Sequence, residues 1–232
     1  MRKFMKKAAF LSLFLVAVMS LGSCAEMRRE PDSIAVDLVN QARETVQRFK
    51  GMPDLKLFTP YMANAKGIVI LPTVIKGGIG VAGEGGNGVL LTRRSDGSWS
   101  QPAFYILGAA SFGLQMGLQD TEVVLVLRSD KAVDAVIKHQ VKLGADAGLT
   151  VGLIGAGAEI STTTNVGVDV LAFANSKIGL FGGVSLEGAV LARRTDLNEA
   201  YYGVGATPRE ILYGSQFANP QANALRAVLA GN

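Results

Sequence analysis

Nucleophilic and metal chemistry need a cysteine, a histidine or a converging set of carboxylates, and this sequence is short of all three. Among 232 residues there is one cysteine, Cys24, and one histidine, His139. A Cys/His zinc site and a Ser-His or Cys-His pair therefore lack parts. Glycoside cleavage needs two carboxylates held at a set separation across the bond. Glu84, Asp96, Asp120, Glu122, Asp169 and Glu187 are available, and no spacing among them singles out a pair. Gly78-Ile79-Gly80-Val81-Ala82-Gly83 fits the dinucleotide fingerprint, which seats a pyrophosphate at the N-terminus of the next helix. The residues after it, Glu84-Gly85-Gly86-Asn87-Gly88, are too rich in glycine for a helix, so the segment is expected to be a glycine-rich hairpin. No cofactor, no metal and no catalysis are expected.

The remaining reactive group is the Cys24 thiol, and its surroundings suit acylation. Arg2, Lys3, Lys6 and Lys7 form a basic start, and Ala8–Val18 is a run of apolar and small residues, the make-up of a signal sequence. That run falls short of the roughly 20 apolar residues of a spanning helix. Leu21-Gly22-Ser23-Cys24 then resembles the bacterial lipobox, in which the cysteine receives a diacylglyceryl thioether and the signal is cut just before it. Residues 1–23 are thus expected to be a lipoprotein signal peptide, and residues 24–32 a tether from lipidated Cys24. Several acyl chains on one residue meet the need for two anchoring signals. Ala25, where an aspartate would retain the protein, resembles the Gram-negative pattern for export to the outer membrane. The expected location is the cell envelope, facing the periplasm. The signal also carries the whole net charge of +4, leaving 19 basic and 19 acidic side chains. A neutral mature chain has no global field to attract nucleic acid.

The elements that must carry any surface chemistry can be read from hydrophobic spacing. Twenty-eight glycines against seven prolines, without a triplet repeat, suit bent and closely packed strands. Ile34, Leu38, Val39, Ala42, Val46 and Phe49 recur at helical spacing over 33–49, with Asp32 or Ser33 as N-cap. Two uses of that helix stay open: packing on the core, or presenting Ile34, Leu38, Val39, Val46 and Phe49 to a membrane. A second short helix is expected to run to about Ala65. Ile68–Leu71, Gly88–Leu91, Phe104–Leu107 and Val123–Leu127 are short apolar runs bounded by turn residues, and so strands, with Asp96-Gly97 a hairpin turn before Trp99. Ser129 is expected to cap a helix through about Leu143, with Gly144 ending it. Further strands are expected at 147–151, 166–173, 178–184 and 188–192. Thr207-Pro208-Arg209-Glu210 has the make-up of a capping box, and a last helix should come after Pro220. The expected fold is α+β, one domain over 33–232. Its sheet is curved, antiparallel and glycine-rich, or a partly closed β-barrel, flanked by the helices at 33–49 and 131–143, with Trp99 and Phe104 near the core.

One internal echo bears on function. Gly88-Val89-Leu90-Leu91-Thr92-Arg93-Arg94-Ser95-Asp96 returns 100 residues later as Gly188-Ala189-Val190-Leu191-Ala192-Arg193-Arg194-Thr195-Asp196. Two related hairpins would place Lys66, Lys76, Arg93, Arg94, Lys177, Arg193 and Arg194 near one rim, as candidates for holding lipid head groups. The alternative is that these cations only protect strand edges.

Taken in order, Lys66–Pro72, Gly80–Gly83, Trp99–Phe104, Ser111–Gly117, Asp120–Val124, Leu143–Ala147, Lys177–Ser185, Tyr201-Tyr202-Gly203 and Ile211-Leu212 resemble the SYLF domain, also called the Ysc84 actin-binding domain. The resemblance spans roughly Ile34 to Gly214. It implies a fold with a lipid-facing tendency, exercised in eukaryotic members through an N-terminal amphipathic helix and a basic surface. Some fungal members also bind actin, which an envelope protein does not meet unless exposed to a host. The leading expectation is therefore a lipid-anchored, non-enzymatic protein that binds membrane phospholipids by their anionic head groups. The alternative is an envelope structural or assembly protein with protein partners, whose acyl anchor is its one lipid contact. Replacing the anchoring thiol separates the lipobox from an incidental cysteine. Cys24→Ser should abolish labelling by a fatty-acid probe and cleavage at that site, and labelling that persists would refute the lipobox.

Overall fold

In the computed structural model, which describes residues 30–138, 141–143, 151–155, 168–178 and 188–231, two long strands organise the chain. Strand β1 is Gly67–Thr92 and β2 is Ala103–Leu127. They pair antiparallel from Gly67 opposite Leu127 to Leu90 opposite Ala103. The four short strands expected here are the ends of these two elements. The glycine fingerprint at 78–83 lies inside β1, with no helix after it.

An extended strand of this length would span on the order of 85 Å. Yet the N–H of Arg93, just beyond β1, donates to the carbonyl of Lys66, just before it, at 2.8 Å. β1 therefore coils back on itself. Register shifts between Leu71 and Val74 and between Ile79 and Val81 supply the bends. Glycine makes the return fit: a Cβ at Gly88 would stand 2.5 Å from the Ile70 carbonyl oxygen, and one at Gly86 2.1 Å from that of Thr73.

The other edge of β2 is shared. Its first part pairs with β6 (Val190–Arg193) and its last part with β5 (Val170–Ile178). β3 (Val141–Lys142) extends the sheet beyond β6, and β4 (Val151–Gly155) beyond β5. All these pairings are antiparallel except that of β4 with β5, which is parallel. The fold is α+β as expected, and of the two forms anticipated it is the open, coiled sheet.

Toward the ends of β1 and β2 both faces of the sheet are buried, which is why those segments read as continuous apolar runs. On one face Val69, Leu71, Leu90, Tyr105, Val123 and Leu125 pack with α3 (Asp130–Lys138) and α5 (Pro208–Tyr213). On the other, Ile68, Ile70, Val89, Phe104, Val124 and Phe173 pack with α1 (Pro31–Gly51), α2 (Phe58–Ala63), α4 (Thr195–Tyr202) and α6 (Asn223–Ala230). The two helices expected to flank the sheet thus lie on opposite faces. Trp99 and Phe104 are fully buried, as expected.

Several boundaries differ from the sequence reading. α1 opens at Pro31, whose fixed φ suits a first helical residue, so neither Asp32 nor Ser33 is its N-cap. Ser129 does cap α3, its Oγ accepting from the Ala132 N–H at 3.1 Å, but the chain is already strand at Val141–Lys142, short of the expected helix end. Leu143 belongs instead to the sheet edge, where its N–H donates to the Ala189 carbonyl at 2.8 Å. Thr207 accepts from the Glu210 N–H, as the capping box requires. Gly144, His139 and the expected strand segments at 147–150, 166–167 and 179–184 lie outside the described residues.

The echo is not a structural repeat. Its first copy makes the expected turn, with Gly97 at φ +83° and the Arg94 N–H donating to the Ser98 carbonyl at 2.8 Å. The second copy has Leu197 where the first has Gly97. Leucine disfavours positive φ, and Leu197 and Tyr201, one turn apart, instead bury one side of α4.

The close return of β1 gives a direct test. Gly86→Ala should destabilise the protein by about 1–3 kcal/mol, the range for overpacking. Gly108→Ala, whose added Cβ meets nothing within 4 Å, should stay within about 0.5 kcal/mol in the same urea titration.

Candidate functional site

The apolar side of α1 is committed to the core. Leu38, Val39, Val46 and Phe49 are buried there against the sheet, so the membrane-facing role considered for these four is corrected; Ile34, at the first turn, is half-buried. Phe49 meets Phe58 edge-on at 5.5 Å, and Phe58 meets Phe173 at 5.3 Å. A buried polar contact fixes the rotation of the helix. Glu122 of β2 is fully buried and accepts from Thr45 Oγ1 at 2.9 Å, Arg48 Nη2 at 2.5 Å and Asn175 Nδ2 at 2.9 Å. Glu122 in turn raises the Arg48 pKa, chiefly through their hydrogen bond. A carboxylate removed from water holds its partners firmly, because leaving it unpaired is costly.

Several of the basic residues singled out from the sequence are held by the fold itself. Arg93 lies over the Trp99 ring at 4.4 Å and donates to the carbonyls of Ala65, Met62 and Gly97. Burial lowers its pKa. Arg94 donates to the Gly214 carbonyl. Lys76, with a side chain only 14% exposed, stands 3.9 Å from Glu84. Arg194 forms a two-pronged pair with Asp196 at 2.8 and 2.6 Å and also donates to Asn87 Oδ1. These hydrogen bonds from Arg194 hold the Asp196 carboxyl below the usual carboxylate range. Lys66 and Arg193 are exposed, and the Lys177 side chain lies outside the described residues. The second copy of the echo runs into a helix at Thr195, so the two arginine pairs stand in different local settings.

What the sequence reading missed is a groove of mixed apolar and polar lining beside the start of α1. It encloses about 380 Å³ and is lined by Ile34 and Leu38 of α1, Ile75, Gly85 and Gly86 of β1, and Ile106 of β2. Ile75 is 48% exposed and Ile106 37%, two of the few large apolar side chains left open to solvent among the described residues. Asp37, Gln41, Thr73 and Asn87 add polar lining. The signal was weak because Ile75 and Ile106 sit in strands where apolar neighbours such as Leu71, Val74, Tyr105 and Leu107 are core.

Comparison with known proteins bears on this arrangement. Residues 108–232, more than half of the chain, match the Ysc84 family, described as "Las17-binding protein actin regulator". The chain belongs to the Ysc84 family. It is 38% identical over 163 residues to an SH3 domain-containing protein of Schizosaccharomyces pombe, covering 69% of this chain and 37% of that protein. It is 34% identical over 177 residues to Protein YSC84 of Saccharomyces cerevisiae, covering 75% and 38%. With the human SH3 domain-containing YSC84-like protein 1 it shares 33% identity over 178 residues, covering 76% and 52%. The chain thus spans between about a third and a half of these relatives' length.

The matched span begins inside β2, so β5, β6 and the helices after them lie within the Ysc84 match, whereas every lining residue of the groove, Ile106 included, precedes it. No helix among the described residues is long and apolar enough to cross a membrane.

Proposed function

We propose that this Ysc84-family protein is a non-enzymatic lipoprotein of the bacterial envelope. It is anchored through Cys24 in the outer membrane on the periplasmic side, and its folded domain also rests on phospholipid. The observation that supports contact by the domain itself is the groove of Ile34, Ile75 and Ile106 at the first turns of α1. Cys24 lies seven residues before Pro31, a reach of at most about 25 Å. An acylated Cys24 would hold the groove at the bilayer surface, where half-exposed isoleucines gain by burial among acyl chains. Exposed cations such as Lys66 would add attraction to anionic head groups that salt screens.

Protein partners form the second reading, favoured by the description of the family as Las17-binding and actin-regulating. In that case the groove takes an apolar segment of an envelope protein and the acyl chains are the only lipid contact. Actin itself is outside the reach of a periplasm-facing protein unless it meets a host cell.

Vesicle binding separates the two readings. The mature chain carrying Cys24→Ser should bind phosphatidylglycerol vesicles without acyl chains. Ile75→Ser with Ile106→Ser should weaken that binding by about 2 kcal/mol, or roughly thirtyfold, at about 1 kcal/mol for each half-exposed side chain. Cosedimentation measures both quantities. No binding by the unacylated parent chain would rule out lipid contact by the domain and leave the protein-partner reading.

A further inference from the structure

The sheet face opposite the groove holds a second opening of different chemistry. Tyr105 and Ile106 are neighbours on β2 and so point to opposite faces. Ile106 lines the groove, whereas Tyr105 lines a cavity of about 480 Å³ between α3, β6 and the start of α4. Val136 and Ile137 of α3 supply apolar lining, and among the described residues the polar lining is Tyr105, Lys138, Arg193 and Thr195.

Three features mark the cavity as built for a negatively charged ligand. Tyr105 is 1% exposed, and its hydroxyl has no hydrogen-bond partner among the described residues. A buried hydroxyl without a partner is costly and calls for an explanation. Burial also pushes the Tyr105 pKa well up, so the hydroxyl keeps its proton and can donate. Arg193 then stands apart from the other arginines of the two echo segments. Arg93, Arg94 and Arg194 are bound to carbonyls or carboxylates of the fold, while no salt bridge or side-chain hydrogen bond holds Arg193 among the described residues. Lys138 brings a second cation. Its pair with Asp134 at 3.5 Å is solvent-exposed, of the kind that contributes little and exchanges readily for a better anion. Asp134 is thus an acidic competitor at this opening, while the Asp196 carboxylate is already taken by Arg194.

We propose that this cavity is an oxyanion site that takes a phosphate group. The Arg193 guanidinium and Lys138 ammonium neutralise the charge, and the hydroxyls of Tyr105 and Thr195 donate hydrogen bonds. A planar guanidinium suits phosphate oxygens two at a time. The site stands independently of the groove. A bilayer resting on Ile75 and Ile106 meets the opposite face of the sheet, so the site serves a soluble phosphate ester or a head group presented from the other side.

Calorimetric titration of the mature Cys24→Ser chain with inorganic phosphate, against sulfate-free buffer of matched ionic strength, tests this. Phosphate should bind, and Arg193→Gln should weaken it at least tenfold. Tyr105→Phe should weaken phosphate binding severalfold while raising the urea midpoint, because it deletes an unpartnered hydroxyl and keeps the ring. A merely structural tyrosine would not trade affinity against stability in this way. In a second arm, phosphatidic acid vesicles compete with phosphate if the group arrives on a lipid, and fail to compete if it arrives on a soluble ester. Vesicle binding through the groove should be indifferent to Tyr105→Phe, so failure here leaves the groove reading intact. No phosphate binding, or binding that both Arg193→Gln and Tyr105→Phe leave unchanged, overturns the proposal. So does a lower urea midpoint in Tyr105→Phe with unchanged affinity.

Discussion

The backbone of β1 passes so close to itself at Gly86 and Gly88 that a single added carbon would strike the carbonyls of Thr73 and Ile70, and the rest of the fold depends on that approach. It lets one 26-residue strand return to its own beginning, where Arg93 bonds to Lys66. β2 runs beside β1 along nearly its whole length, and its free edge is then long enough to receive β6 and β5 side by side. The glycine excess in the composition thus has a specific use: backbones approach where side chains would keep them apart.

A single sheet with both faces apolar must be covered twice, and this dictates the distribution of helices. Two described helices take one face and four the other, so α1 has no apolar side to spare. Glu122, Thr45, Arg48 and Asn175 then set its rotation from beneath. A helix held by a buried carboxylate is a poor candidate for leaving the core to lie in a membrane, since its departure would expose Phe49 and Val46 and strip Glu122 of two partners. The membrane contact proposed for the folded domain therefore falls to what the coverage leaves open, the groove at the helix's first turns. On the opposite face the same incomplete coverage leaves the cavity at Tyr105.

The sequence carried much of this fold, in ways that have physical reasons. Apolar runs such as Ile68–Leu71 and Val123–Leu127 announced strands because each is buried on both sides, and Asp96-Gly97 announced its turn because only glycine takes that φ cheaply. The joining of short strands into β1 and β2 was not legible, since it depends on pairing between residues far apart in sequence. The echo misled for an equally local reason: seven residues of strand and arginine recur, but Leu197 in place of Gly97 turns the second copy into a helix. The candidate cations illustrate the same limit. Exposure decides whether an arginine greets a ligand or ties the fold, and neither spacing nor charge distinguishes Arg193 from its neighbour Arg194, which is paired to Asp196.

The central claim is that this Ysc84 domain meets phospholipid as an intact body, with α1 remaining on the sheet. Hydrogen–deuterium exchange of the unacylated mature chain, with and without phosphatidylglycerol vesicles, examines it most directly. The account predicts slower exchange at residues 31–38, beside the groove, and unchanged rates over 39–49. Faster exchange over 39–49 in the presence of vesicles would mean that α1 leaves the core to bind lipid, and would contradict it.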